Sequence, residues 1–161
     1  MDIDGYSQIS ISIWVKYNLA GSEKVWILAL RRGCIQWVLD KNGYSNAKNY
    51  FGIYAGTHWE NLQNEGSLDE NKWYMLTVVY DGATIKQLKN GRVICERSCN
   101  LPILVHPDSR SVFKDGLTIG STHPRYPISD GAECFIDDVR IYNRALSADE
   151  VKALYEFEKA K

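Results

Sequence analysis

The sequence predicts an all-β fold, an antiparallel two-sheet jelly-roll sandwich with one short C-terminal helix. Three observations carry this expectation. Apolar residues recur with period two in short runs, turn clusters of Gly, Asn and Asp separate the runs, and only the tail changes to a helical period. Many short strands ending in one terminal helix fit a sandwich better than alternating βα units. The 161 residues suit one domain, 1–161, and neither an internal repeat nor a low-complexity stretch divides them.

Each element follows in order. Ile9, Ile11, Ile13 and Val15 alternate with Ser10, Ser12, Trp14 and Lys16, as in a half-buried strand with one β-branched face. Segment 25–30 is an apolar run of strand length. Segment 34–39 is another, and it closes at the turn cluster 40–43. Segment 50–55 reads as a strand and 57–71 as a long polar loop carrying Trp59. Segment 73–80 has apolar or aromatic side chains on both faces, so it belongs in the sandwich interior. Asp81 and Gly82 end it. Segment 84–88 then leads to Asn90-Gly91, the strongest hairpin signal in the chain, and 92–95 returns. Segment 102–114 is a loop, 116–120 a short strand, and 123–129 is irregular because of Pro124 and Pro127. Segment 134–142 is a long strand. Ser147 and Glu150 form a capping box, after which Val151, Leu154 and Tyr155 make one apolar helix face. Trp14, Trp37 and Trp73 lie within predicted strands and are assigned to the core.

Composition excludes several function classes. A net charge of −1 with scattered Lys and Arg gives no electrostatic case for nucleic acid. No apolar run approaches the ~20 residues of a membrane span, so no membrane insertion is expected. Met1 is followed by Asp2 and Asp4, unlike a secretory leader, and the chain reads as a domain excised from a larger protein. Cys34, Cys95, Cys99 and Cys134 allow two disulfides in any of three connectivities, or buried thiols. At least one disulfide and an oxidising compartment are expected. Their spacing does not match the usual zinc-ligand patterns.

Neither a Gly-x-Ser-x-Gly elbow nor a phosphate-cradling glycine loop is present. For binding, aromatic side chains beside convergent polar groups are the informative pattern, because sugars offer flat apolar faces rimmed by hydroxyls. Tyr54, His58, Trp59, Glu60 and Asn61 make one such cluster at the predicted strand-to-loop transition. A second gathers around His123, Arg125 and Tyr126. Trp59 could equally lid a core edge. Asp137 shares its strand parity with Val139 and Ile141, so it is expected to be buried, and a buried carboxylate must be paired, hydrogen-bonded or metal-bound.

Segments 11–15, 73–82, 89–91, 117–120 and 135–147, in that order, resemble landmarks of the laminin-G-like, pentraxin-related domains among the concanavalin A-like sandwiches. The resemblance spans nearly the whole chain. It departs at the start, where only residues 1–8 precede the first strand and Ile3-Asp4-Gly5 stands where the family has further strands. It implies an extracellular or cell-surface module of a larger protein, and a lectin-like function toward a glycan or cell-surface polysaccharide. The alternative it leaves open is an adhesion or structural module docking on a protein partner or on other domains of the parent. It also implies a structural calcium ion held by Asp137, with Asp4 as a helper. A salt bridge from Asp137 to Arg140 or Arg144 is the competing reading.

Retaining glucanases share this sandwich and need two carboxylates about 5–5.5 Å apart. Along a strand such a pair appears at alternate positions. Here Glu60 and Glu65 flank the predicted loop, Asp69-Glu70 and Asp137-Asp138 are adjacent, and Glu156 and Glu158 lie in the tail. Adjacent residues point to opposite faces, so no catalytic activity is expected.

Overall fold

A computed structural model describes residues 6–18, 24–30, 35–40, 47–55, 58–104, 117–120 and 133–160. Among them are ten strands: β1 (Ile9–Asn18), β2 (Lys24–Leu30), β3 (Ile35–Asp40), β4 (Ala47–Ala55), β5 (His58–Leu68), β6 (Tyr74–Tyr80), β7 (Thr84–Lys89), β8 (Arg92–Ser98), β9 (Leu117–Ile119) and β10 (Glu133–Tyr142). One helix, α1 (Ala148–Glu158), follows. Two five-stranded sheets form, sheet I in the order β10-β1-β6-β7-β8 and sheet II in the order β5-β4-β3-β2-β9. Every described strand pairing is antiparallel. The sandwich is thus the fold that the strand patterning predicts.

The period-two faces explain the core. Ile9, Ile11, Ile13, Val15 and Tyr17 of β1 all point between the sheets and are fully buried. They meet Ile35, Trp37 and Leu39 of β3 and Phe51 and Ile53 of β4 from the other side. Among the described residues Trp37 is the largest fully buried side chain. Its indole N–H donates to Asn49 Oδ1 at 2.6 Å, and its ring meets Phe51 edge-on, centroids 5.5 Å apart. Burial demands such a partner for the indole N–H.

The tail covers the outer face of sheet I. Val151 and Leu146 pack on Met75, Val79 and Leu88, with Leu154 and Tyr155 alongside. β6 is therefore covered on both faces, as its doubly apolar sequence requires. Asn90 and Gly91 both take positive φ, 51° and 75°, the backbone a two-residue hairpin needs. Gly91 has a second duty. A Cβ there would lie 3.0 Å from Lys152 Cα, so glycine lets the helix rest against the hairpin.

The capping box at Ser147 forms as its spacing predicts. Glu150 N–H donates to Ser147 Oγ, and the Glu150 carboxylate accepts from Ser147 N–H at 2.7 Å. Arg144 adds a forked pair to the same carboxylate, at 2.7 and 3.0 Å. That guanidinium, then the Ser147 N–H, holds the Glu150 carboxyl down at about 2. Because the folded-state value is depressed from 4.5, its stabilisation is full above the ordinary carboxylate range and disappears as pH falls toward about 2. The expected result is that wild type exceeds Glu150→Gln in urea midpoint at pH 7 and that the two converge near pH 2. A gap of constant size would remove the charge from the explanation.

Four sequence expectations are corrected. The loop predicted for 57–71 is mostly strand β5, whose backbone pairs with β4 from Ala55↔His58 to Ala47↔Leu68. Its polar composition hid it, and polar side chains are also what protects a sheet edge. Trp73 precedes β6 and is 42% exposed, so it is not core. Trp14 is half-buried on the outer face, under the helix. Cys95, Cys99 and Cys134 are free thiols, so the expected disulfide does not form among them, and Cys34 lies outside the described residues. Burial pushes the Cys134 thiol up to about 11, which keeps it protonated and a poor nucleophile at neutral pH.

Candidate functional site

The β4–β5 ladder sorts the first predicted cluster. Tyr54 pairs with Trp59 and Gly52 with Asn61, while Ile53 pairs with Glu60 and Ala55 with His58. Paired residues share a face and neighbours in sequence do not. Trp59 and Asn61 therefore stand with Tyr54 on the outer face of sheet II, and His58 and Glu60 turn toward the space between the sheets. Tyr54 is buried, and its ring meets half-buried Trp59 edge-on at 5.8 Å. A Cβ on Gly52 would come within 2.6 Å of Asn61 Oδ1 and 3.3 Å of the Trp59 ring, so these side chains lie over the bare glycine.

His58 and Glu60 do something different. Glu60 Oε1 lies 2.6 Å from His58 Nε2, and Oε2 lies 3.1 Å from Arg97 Nε of β8. Arg97 also donates to the Asn61 carbonyl at 3.2 Å. This ion pair joins the rims of the two sheets, so Glu60 is a clamp with its oxygens already engaged. The predicted five-residue site is thus split by the pleat into an aromatic half and a structural half. Arg125, Tyr126 and His123 lie outside the described residues.

Asp137 is exposed, contrary to its expected burial. The cause is a β-bulge. β1 pairs with β10 at Ser12↔Arg140 and next at Trp14↔Asp137, which leaves one extra residue on β10. Asp138 absorbs it with φ 47°. Side-chain parity reverses across the bulge, so Cys134 and Ile136 point inward before it and Val139 and Ile141 point inward after it. Asp137 consequently shares the outer face with Phe135. One of its oxygens accepts the Asp138 N–H at 2.8 Å. The competing salt-bridge reading misplaces the partner by one residue: Arg140 reaches the Asp138 carboxylate, at 3.1 Å, and Arg144 is committed to Glu150. For calcium, six to eight oxygen ligands are needed. Among the described residues no group of three or more His, Cys, Asp or Glu side chains is placed to hold a metal, and Asp4 lies outside them.

The bulge instead places Asp137 on a groove of about 350 Å³ on the outer face of sheet I. Trp14, Trp73 and Asp137 form one side, and Tyr155, Glu158 and Lys159 at the end of α1 form the other. Trp14 stacks on Tyr155 with centroids 5.9 Å apart, and its indole N–H donates to Glu158 Oε2 at 2.6 Å. Glu158 is buried and ion-paired with Arg140, so a chain of contacts runs from Asp138 through Arg140 and Glu158 to Trp14. Next to the groove, Lys16 spreads its ammonium over Trp73 and Phe135, 5.4 and 4.7 Å from the ring centroids. Phe135 is 52% exposed.

This groove is hidden from sequence reasoning because Trp14 and Trp73 fall within apolar strand patterns that assign them to the core. The signal was present for Trp14 and Lys16, whose parity opposes Ile11, Ile13 and Val15. Nothing local marks the contribution of Tyr155 and Glu158.

Comparison with known proteins agrees with the architecture. The binding domain of botulinum neurotoxin DC, solved in complex with rat synaptotagmin II, superposes with a TM-score of 0.69 at 17% identity over 94% of this chain. The same neurotoxin's binding domain in complex with SialylT gives 0.70 at 17% identity over 95%. The botulinum neurotoxin serotype G binding domain gives 0.66 at 18% over 98%. The chain spans only 36–38% of the length of those domains, and the likeness is one of fold. Among curated protein sequences no match is found. A family model of the laminin G type, described as the concanavalin A-like lectin/glucanases superfamily, matches residues 2–152. With nearly the whole chain matched and both sheets in place, this protein belongs to the concanavalin A-like lectin/glucanases superfamily.

Proposed function

We propose that this domain is a non-catalytic, lectin-like binding module that takes a glycan in the groove between sheet I and the end of α1. The observation that carries the reading is Trp73, a large ring 42% exposed at the mouth of a cavity also lined by Trp14 and Asp137. A sugar ring can lay its apolar face on the indole while its hydroxyls donate to the carboxylate. The fold supports the reading through a superfamily that includes lectins, and a place outside the cell is part of the proposal. Three residues of the groove, Tyr155, Glu158 and Lys159, lie beyond the family match at 152, so one side of the groove comes from this chain's own tail.

The test is a glycan-array screen followed by titration of any hit. Trp73→Ala is expected to fold normally, since the side chain is outside the core, and to weaken binding about tenfold or more, the equivalent of ~1.4 kcal/mol. Trp59→Ala is expected to leave affinity unchanged. The reverse pattern would move the site to sheet II. A folded protein silent across a broad array would favour the second reading, docking on a protein partner, which the exposed Phe135 and Phe157 support. Calcium held by Asp137 with Asp4 enters through the family resemblance and is tested in the same titration. Loss of binding in EDTA supports it, and unchanged binding removes it.

A further inference from the structure

We infer that the groove selects acidic glycans, with Lys16 as the residue that receives a sugar carboxylate. This rests on the glycan reading above and adds the ligand's charge. Most cations around the groove are already compensated. Arg140 serves both Asp138 and Glu158, and Lys159 pairs with Glu156. Lys16 has no carboxylate partner among the described residues. Among the described residues its ammonium lies over the rings of Trp73 and Phe135. Cation–π contact satisfies its charge in part and leaves its N–H donors open.

The ladder sets where these groups stand. Lys16 pairs with Phe135, and Trp14 pairs with Asp137, on the same outer face. Phe135 and Lys16 therefore form one row across the sheet, with the Trp73 ring against the Lys16 ammonium, and Asp137 and Trp14 form the next. Diagonal neighbours on such a face are about 7–8 Å apart, roughly the span of one sugar ring with its substituents. A uronate lying on this surface can present its carboxylate to Lys16 at one end and its hydroxyls to Asp137 at the other. Asp137 then acts as an acceptor for O–H groups. An amino sugar is less well served, because the ring faces that attract an ammonium already hold one.

The experiment uses three probes on the intact protein by calorimetry: a galacturonic acid hexamer, a neutral galactose hexamer and a glucosamine hexamer. The uronate is expected to bind about tenfold or more tightly than the neutral oligomer at low salt, and the gap is expected to narrow as salt screens the charge. Lys16→Gln is expected to remove that gap by lowering the uronate affinity to that of the neutral oligomer. Trp73→Ala is expected to weaken all binding. Equal affinities for uronate and neutral oligomers, preference for glucosamine, or a uronate preference that survives Lys16→Gln would each overturn the inference and leave the glycan reading standing. Silence of all three probes would overturn the inference together with its premise at this groove.

Discussion

Trp37→Ala is expected to lower the stability of the domain by about 3–5 kcal/mol, the range for deleting a fully buried large aromatic. The side chain has no exposed surface, and the pleat holds it between Leu28 of β2 and Phe51 of β4 in the ladder. Two terms add. A cavity replaces the indole, and Asn49 Oδ1 loses its donor inside the core. Asn49 Nδ2 has no partner among the described residues, so among them the buried amide would then have none for its side chain. Trp37→Phe separates the terms: it retains most of the volume and loses the N–H, and about 1–3 kcal/mol is expected for that alone. Urea unfolding followed by circular dichroism measures both. A loss below about 1 kcal/mol for the alanine variant would mean that the sandwich refills the space, which close packing makes unfavourable.

Glu158→Ala is the second large effect, expected at about 2–3 kcal/mol. Removing one partner of a buried ion pair costs about 3–5 kcal/mol, and the figure is reduced here because Arg140 is 29% exposed at its side chain and keeps Asp138. The position is unfavourable for an acid in isolation. A carboxylate in the last turn opposes the helix dipole, and that turn has no basic residue to offset it. Glu158 is there because it satisfies the Trp14 indole and the Arg140 guanidinium together. Glu158→Gln keeps an acceptor for Trp14 and loses the charge, so a smaller loss is expected. Intrinsic fluorescence should report a changed Trp14 environment in the alanine variant. Equal, near-zero losses in both variants would show that α1 is held by Val151 and Leu154 alone. The consequence for binding follows directly, since the same contact fixes the Trp14 wall of the groove.

Much of the fold was legible in short-range pattern. Alternation at Ile9–Val15 announced β1, Asn90-Gly91 announced the β7–β8 hairpin, and Ser147 with Glu150 announced the helix start. Each is decided by contacts within a few residues, where side-chain period and backbone preference act directly. β5 was not legible. Its residues include Asn61, Gln63, Asn64 and Gly66, and they become a strand only because β4 supplies a ladder.

The site was less legible than the fold for the same reason. Sequence order placed Tyr54, His58, Trp59, Glu60 and Asn61 together, but the pleat divides them between two faces. It placed Asp137 with Val139 and Ile141, and one bulged residue reversed the parity. It placed Trp73 in the core, and the start of β6 one residue later left it outside.

By itself the sequence determined the class of fold, the strands whose apolar faces make the core, the two tight turns and the capped helix. The tertiary structure alone decided which side chains meet at the groove. Trp14, Trp73, Asp137 and Glu158 are scattered along 145 residues of chain. Their meeting depends on strand order, on a bulge and on where the tail helix comes to rest. Those are set by the summed packing of distant elements, which no local period encodes.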